Sequence, residues 1–301
     1  MNKEVVLVTG GTGLIGQVLI PMLEDAGYEV ILLSRTQKNE KSFLWDIETN
    51  FIDKQAIIKS QHLIHLAGTG IADKPWSESR KKEIIDSRVN STALLLKSFK
   101  QNNIELKTVV AASAIGYYGT VTNEHVYTEN DSPGNGFLAD SCVQWEKATS
   151  QLSEITDKLV QLRIGIVLDK NGGALKKIAQ PIHFYAGAAL GTGKQYTPWI
   201  HVKDLCNIIM FALKNQQVKG IYNAVSSSNI TNAEFTQAIG KALHKPILLP
   251  PVPAFVLKTI LGEMANMVLE GSKVSNQKIK QAGFKFQYDN IDEALQQIYS
   301  S

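Results

Sequence analysis

The feature that most constrains this chain is a glycine run placed directly after its first apolar segment. Thr9-Gly10-Gly11-Thr12-Gly13-Leu14-Ile15-Gly16 follows Val5-Val6-Leu7-Val8 and opens a stretch, Leu14 to Ala26, whose apolar spacing is helical and which Gly27 ends. Strand, glycine turn and helix in that order begin a βαβ unit of the dinucleotide-binding kind. The spacing Gly10-x-x-Gly13-x-x-Gly16 divides the work. Gly10 permits the tight turn, Gly13 lets a pyrophosphate approach the backbone, and Gly16 lets the helix lie close to the sheet. Free N–H groups and the positive end of the helix dipole then hold phosphates.

The end of the second strand, Glu29 to Leu33, selects the dinucleotide. An acidic residue there would hold the ribose hydroxyls of NAD, whereas an arginine accommodates the extra phosphate of NADP. The chain has Leu33-Ser34-Arg35-Thr36, with no acid before Glu40. Ser34 can donate a hydrogen bond and Arg35 offers a charge-assisted fork to a 2′-phosphate. The expected cofactor is NADP(H), preferred over NAD(H).

Short apolar runs continue to alternate with helical patterns through Ser42–Trp45, His62–Leu66, Thr108–Ala112 and Leu159–Arg163, with helices over Ser77–Gln101 and about 136–155. The fold class is α/β: a Rossmann-type doubly wound parallel sheet with a smaller, mostly helical C-terminal substrate lobe. Residues 1–165 and 202–226 form the NADP-binding domain, and 166–201 and 227–301 the lobe. A chain of 301 residues buries a sizeable core unaided. Its net charge of +3 gives no footprint for nucleic acid. No stretch approaches the ~18 apolar residues of a membrane span. Two cysteines, Cys142 and Cys206, without a signal segment suggest free thiols in a reducing compartment. The expectation is a cytoplasmic protein with a small-molecule ligand and no nucleic-acid or membrane partner, compatible with a homodimer.

Several further motifs extend the picture: His65-Leu66-Ala67-Gly68, Arg88-Val89-Asn90-Ser91-Thr92, Ser113-Ala114-Ile115-Gly116-Tyr117-Tyr118-Gly119, Trp145-Glu146, Asn171-Gly172-Gly173-Ala174-Leu175 and Trp199-Ile200-His201-Val202-x-Asp204-Leu205. With Ile71-Ala72-Asp73-Lys74-Pro75-Trp76 and the tail Ala282-Gly283-Phe284-x-Phe286-x-Tyr288, they cover nearly the whole chain. The sequence resembles the extended, atypical short-chain dehydrogenase/reductase superfamily in its NAD(P)-dependent epimerase/dehydratase-like branch. It is most similar there to the "epimerase family proteins" with a C-terminal domain of unknown function. The resemblance implies sugar-nucleotide-type chemistry. It places Thr9, Gly10, Gly13, Leu14, Ile15, Gly16, Ser34, Arg35, Asp46, Leu66, Ala67, Gly68 and Asn90 around the cofactor, and Lys74, Trp76, Arg88 and Tyr118 around a substrate.

The superfamily's proton relay, Tyr-x-x-x-Lys, is missing: none of the nine tyrosines has a lysine four residues on. Counted back from Trp145-Glu146, the tyrosine position falls at Phe137 or Leu138 and the lysine position at Ser141 or Cys142. The accompanying serine position falls at Ala114, one beyond Ser113. Two readings follow. One is an NADP-dependent epimerase or oxidoreductase whose acid/base group lies elsewhere, with Ser113 and Tyr117 as the catalytic candidates and Tyr118, Asp140 and Ser141 nearby. The other is a non-catalytic NADP(H) sensor or regulator, which the cell-division label of some relatives would suit. For Arg80 and Arg88, ion pairing with Glu83 or Asp86 competes with an anion-binding role. His62 and His65 stand three apart on a strand and face opposite ways, so they cannot share a metal, and no metal site is expected. His201 reads as a hydrogen-bonded support.

Overall fold

A computed structural model describes residues 3–36 and 40–300. In chain order the elements are β1 (Val5–Thr9), α1 (Leu14–Asp25), β2 (Glu29–Ser34), β3 (Ser42–Asp46), β4 (Phe51–Ile52), α2 (Lys54–Lys59), β5 (His62–His65), α3 (Glu78–Gln101), β6 (Thr108–Ala114), β7 (Val126–Tyr127) and α4 (Phe137–Ser150). There follow β8 (Leu159–Ile164), β9 (Ile166–Leu168), α5 (Gly173–His183), β10 (Trp199–His201), α6 (Val202–Lys214), β11 (Gly220–Ala224), α7 (Asn232–Ala242), α8 (Ala254–Leu261), α9 (Asn266–Leu269), β12 (Lys273–Val274), α10 (Gln277–Gln281) and α11 (Ile291–Ser300).

The main sheet has the order β11-β8-β6-β5-β1-β2-β3-β4. All its pairs are parallel except β3 with β4. From β1 the chain winds outward to β2 and β3, then returns to β5 and winds the other way. The order therefore reverses between β1 and β5, where α/β sheets place their ligands. Alternation along β1 explains the two layers. Val6 and Val8 join Leu19, Leu205 and Ile209 of α1 and α6 on one face, while Leu7 joins Ile57, Leu95 and Phe99 of α2 and α3 on the other. α3 starts where the Ser77 hydroxyl accepts from the Arg80 N–H, with Glu78 in the first turn.

A third cluster joins Leu175 and Ile182 of α5, Trp199 of β10, Phe235 and Ile239 of α7, and Leu295 and Ile298 of α11. The C-terminal tail also reaches the first core: Ile279 and Phe284 pack there, Phe284 against Phe211 of α6. Asp204 anchors that tail, accepting from the Gln287 and Tyr288 N–H groups at 2.8 Å each. The short strands β4, β7, β9, β10 and β12 lie where glycines, prolines and polar residues hide any periodicity. β4 folds back locally on β3, whereas β9 pairs with β10 and β12 with β7 across longer stretches of chain. Among the described residues no helix is long and apolar enough to cross a membrane.

Candidate functional site

The glycine turn lies at the carboxyl end of β1. Gly10 has a φ of +72°, and a Cβ there would meet the Leu66 carbonyl carbon at 2.8 Å. A Cβ at Gly16 would lie 2.5 Å from the Gly11 Cα. The turn thus lies flush on the β5 end and the helix on the turn. Gly13 is the N-cap residue of α1, with no side-chain cap and no acid in the first turn. The first N–H groups of a twelve-residue helix are left pointing into the crevice beside exposed Gly13 and half-buried Leu14 and Ile15. Thr9 departs from its cofactor-contacting expectation. It is fully buried, and its hydroxyl holds His65 Nδ1 at 2.7 Å and accepts from the Leu66 and Ala67 N–H groups. It braces the turn from beneath.

Ser34 and exposed Arg35 stand at the end of β2, where the Ser34 hydroxyl accepts from the Thr36 N–H at 3.3 Å. Arg35 has no ion-pair partner among the described residues. Asp46 closes β3 and spends one carboxylate oxygen on the N–H groups of Glu48 and Thr49. The Thr49 hydroxyl first, then those N–H groups, hold its carboxyl below the usual range.

Across β1, the face of α3 that meets the crevice carries Arg88, Ser91 and Thr92. Ser91 and Thr92 bond His65 Nε2 at 3.3 and 3.1 Å. Burial, with Arg88 adding, pushes the His65 pKa down to about 4, so the ring is neutral at pH 7. Asn90 is exposed, on the same stripe of α3 as Glu83 and Lys97, and does not face the crevice. The helical turn gives that task to Arg88. Gly68 leaves room for Arg88: a Cβ there would lie 3.1 Å from the guanidinium carbon.

The β6–α4 junction is a closed polar network. Ser113 donates to Glu146 Oε1 at 2.7 Å, and Arg163 grips both Glu146 oxygens at 2.8 and 2.9 Å. Arg163 also donates to the Tyr118 hydroxyl at 3.0 Å, which lies 2.7 Å from Asn223 Oδ1 and 2.9 Å from the Thr128 carbonyl. Burial pushes the Tyr118 phenol up to about 12. Ser113 is 2 % exposed and Tyr118 1 %, so both expected site hydroxyls are internal and already occupied. Tyr117 differs. It is half-buried, its ring lies 3.4 Å from the Arg163 guanidinium carbon, and its hydroxyl has no hydrogen-bond partner among the described residues. The junction also shows how the four candidates for the relay positions are packed. A Cβ at Gly116 would meet Cys142 Sγ at 3.4 Å and Leu138 Cβ at 3.5 Å, whereas Phe137 packs on Trp76 and Ser141 bonds the Leu138 carbonyl. Leu138 and Cys142 face the β6 end. Burial pushes the Cys142 thiol up to about 12, leaving a neutral, inert group.

Lys74 is exposed in the β5–α3 loop, and Trp76 donates to the Ile71 carbonyl at 2.9 Å while its ring meets Phe137 at 4.7 Å edge-on. Arg80 ion-pairs with Glu83 at 2.7 Å, so for it the structural alternative holds; Arg88 has no such pair. His201 accepts from the Lys203 N–H and bonds Gln297, as a support should. The Arg163–Glu146–Asn223 core was missed as a functional grouping. Its one signal is a charged residue inside an otherwise apolar strand, Leu162-Arg163-Ile164.

A parallel sheet reversing beside an uncapped glycine-loop helix defines a Rossmann-type dinucleotide-binding protein. The profile of the NAD dependent epimerase/dehydratase family matches residues 6–138, and that of a domain of unknown function, DUF1731, residues 252–298. Epimerase family protein ML0860 of Mycobacterium leprae is 34% identical over 296 residues, covering 98% of this chain and 95% of that protein. Epimerase family protein SDR39U1 of Mus musculus is 34% identical over 299 residues, covering 97% and 99%. The crystal structure of human epimerase family protein SDR39U1 (isoform2) with NADPH superposes with a TM-score of 0.89 at 32% identity, covering 99% of both chains. This chain belongs to the epimerase family proteins of the NAD dependent epimerase/dehydratase family.

Proposed function

We propose that this protein binds NADP(H) and acts as an epimerase- or oxidoreductase-like enzyme on a small polar or anionic substrate, with nucleotide sugars as the class its family suggests. The observation that carries the cofactor choice is Arg35, exposed, followed by no acid before Glu40 and without an ion-pair partner among the described residues, together with an uncapped α1 N-terminus. The crystal structure of the human relative with NADPH supports it. The turn from Gly10 to Gly16 would hold the diphosphate through backbone N–H groups, Ser34 and Arg35 the 2′-phosphate, and Leu66 and Ala67 would border the nucleotide. When bound, the cofactor supplies a hydride donor or acceptor. Of the named hydroxyls at the β6 end, Tyr117 is the one left to exchange a proton with a substrate. Lys74 and Trp76 border the loop where that substrate would enter.

A second reading, an NADP(H)-binding regulator without turnover, draws support from Leu138 and Cys142 in the relay positions. Two measurements separate the possibilities. Nucleotide released on denaturing the purified protein should be NADP(H), and Arg35→Ala should weaken NADPH about tenfold while leaving NADH unchanged. Equal affinity for NADPH and NADH in the wild type overturns the cofactor assignment. NADPH oxidation over a carbonyl and sugar-nucleotide panel, abolished by Tyr117→Phe, supports the enzyme; tight NADPH binding with no turnover supports the regulator.

A further inference from the structure

The chain has four arginines, and they are treated differently. Arg35 is exposed, Arg80 pairs with Glu83, and Arg163 pairs with Glu146. Arg88 is mostly buried, yet no carboxylate lies within ion-pair distance of it among the described residues. One N–H donates to the Ile84 carbonyl at 2.9 Å, and the guanidinium lies 4.7 Å from the Trp145 ring centre. Burial lowers its pKa, and Arg80 adds to the effect. An arginine stays charged even so. Its charge is therefore poorly hydrated and not cancelled by a neighbour, a costly arrangement that leaves a positive field in the crevice.

Topology fixes where that field acts. Arg88 rests on Gly68, just past β5, and near Cys142 and Trp145 of α4, behind β6. Strands β5 and β6 lie on the opposite side of β1 from β2, where Arg35 stands. A dinucleotide laid across the switch point with its adenosine half at β2 puts its nicotinamide half over β5 and β6. The oxidised ring carries a positive charge and the reduced ring none, while the phosphates of the two forms are the same. We infer that Arg88 makes this site discriminate between redox states, favouring NADPH over NADP+ by repelling the charged ring. The inference rests on the proposed cofactor reading. Like unit charges about 10 Å apart, at an effective interior dielectric near 20, give a preference on the order of tenfold.

The test is a set of Kd values for NADPH, NADP+ and the ring-free 2′-phospho-ADP-ribose on nucleotide-stripped protein, for wild type, Arg88→Met and Arg88→Lys. Wild type should bind NADPH about tenfold more tightly than NADP+. In Arg88→Met the ratio should fall towards one, chiefly by tighter NADP+, with the ring-free ligand unmoved; Arg88→Lys should keep the preference. A wild-type ratio near one overturns the inference without any variant, so a Met variant that fails to fold does not shelter it. An unchanged ratio in Arg88→Met, or equal weakening of all three ligands, also overturns it, the latter by assigning Arg88 to the phosphates. Failure of the cofactor reading looks different: neither NADP form binds, or NADH competes equally with NADPH.

Discussion

At the β1–α1 turn the polar groups face the crevice and are left open, whereas at the β6–α4 junction they face inward and satisfy one another. The first wall offers uncapped helix N–H groups with no acid in the first turn. The second has used its Ser113, Tyr118, Glu146, Arg163 and Asn223 on internal bonds. Open donors at a helix start gain by taking an anion. A closed buried network gains nothing from a ligand and loses stability when any member goes. In this fold the open backbone donors and the buried polar side chains thus lie on two separate walls. The proposed phosphate wall has its donors free, while the β6–α4 wall is a structural brace beside one phenol, Tyr117, with no hydrogen-bond partner among the described residues.

The largest expected effect tests the brace. Glu146→Ala would leave the Arg163 guanidinium buried without a counter-charge and should cost about 3–5 kcal/mol of unfolding free energy. Folded Glu146→Ala protein should still bind NADPH with nearly wild-type affinity. Chemical denaturation and a binding isotherm on the same preparation check both, and a large loss of affinity in the folded variant breaks the separation of the two walls.

The second effect is a pH dependence beneath the glycine turn. His65 is neutral in the fold, with its pKa pushed down to about 4, while the unfolded chain titrates near ~6.5. The depressed value means that its contribution is fully present above pH ~6.5 and is lost as pH falls toward 4, by about 3 kcal/mol. His201 is also pushed down to about 4 and should add to the same window. Urea midpoints from pH 7.5 to 4 should show this decline and a shallower one in His65→Asn. Parallel curves for the two proteins would remove His65 from the account.

The smallest effect sharpens the first wall. Gly16→Ala places a Cβ 2.5 Å from the Gly11 Cα and must move the turn. It should cost about 1–3 kcal/mol and weaken NADPH binding more than tenfold, as calorimetry of folding and binding would show. A neutral result would mean that α1 has room to shift.

Much of the first wall was legible because it is local. The glycine spacing from Gly10 to Gly16, directly after Val5–Val8, is readable within a dozen residues even though β1 itself is held by β2 and β5, and Arg35 needs only to be seen at a strand end. The second wall was not. Ser113 and Tyr118 carry hydroxyls that suit catalysis, and no spacing shows that Glu146, Arg163 and Asn223, up to 105 positions away, will occupy them. Asn90 was assigned a crevice role by its motif, but the 3.6-residue turn of α3 points Arg88 there instead.

The doubly wound fold, the glycine turn, the missing acid beside Arg35 and the absence of a Tyr-x-x-x-Lys pair can all be read from residue order alone. Each is a property of residue type and short-range spacing. Tertiary packing alone shows that Leu138 and Cys142, of the four candidates, turn toward Gly116, that Arg163 pairs with Glu146, and that Arg88 has no carboxylate partner among the described residues. Those outcomes depend on which charges meet after the sheet has closed, and burial then fixes the cost of every charge left without a partner.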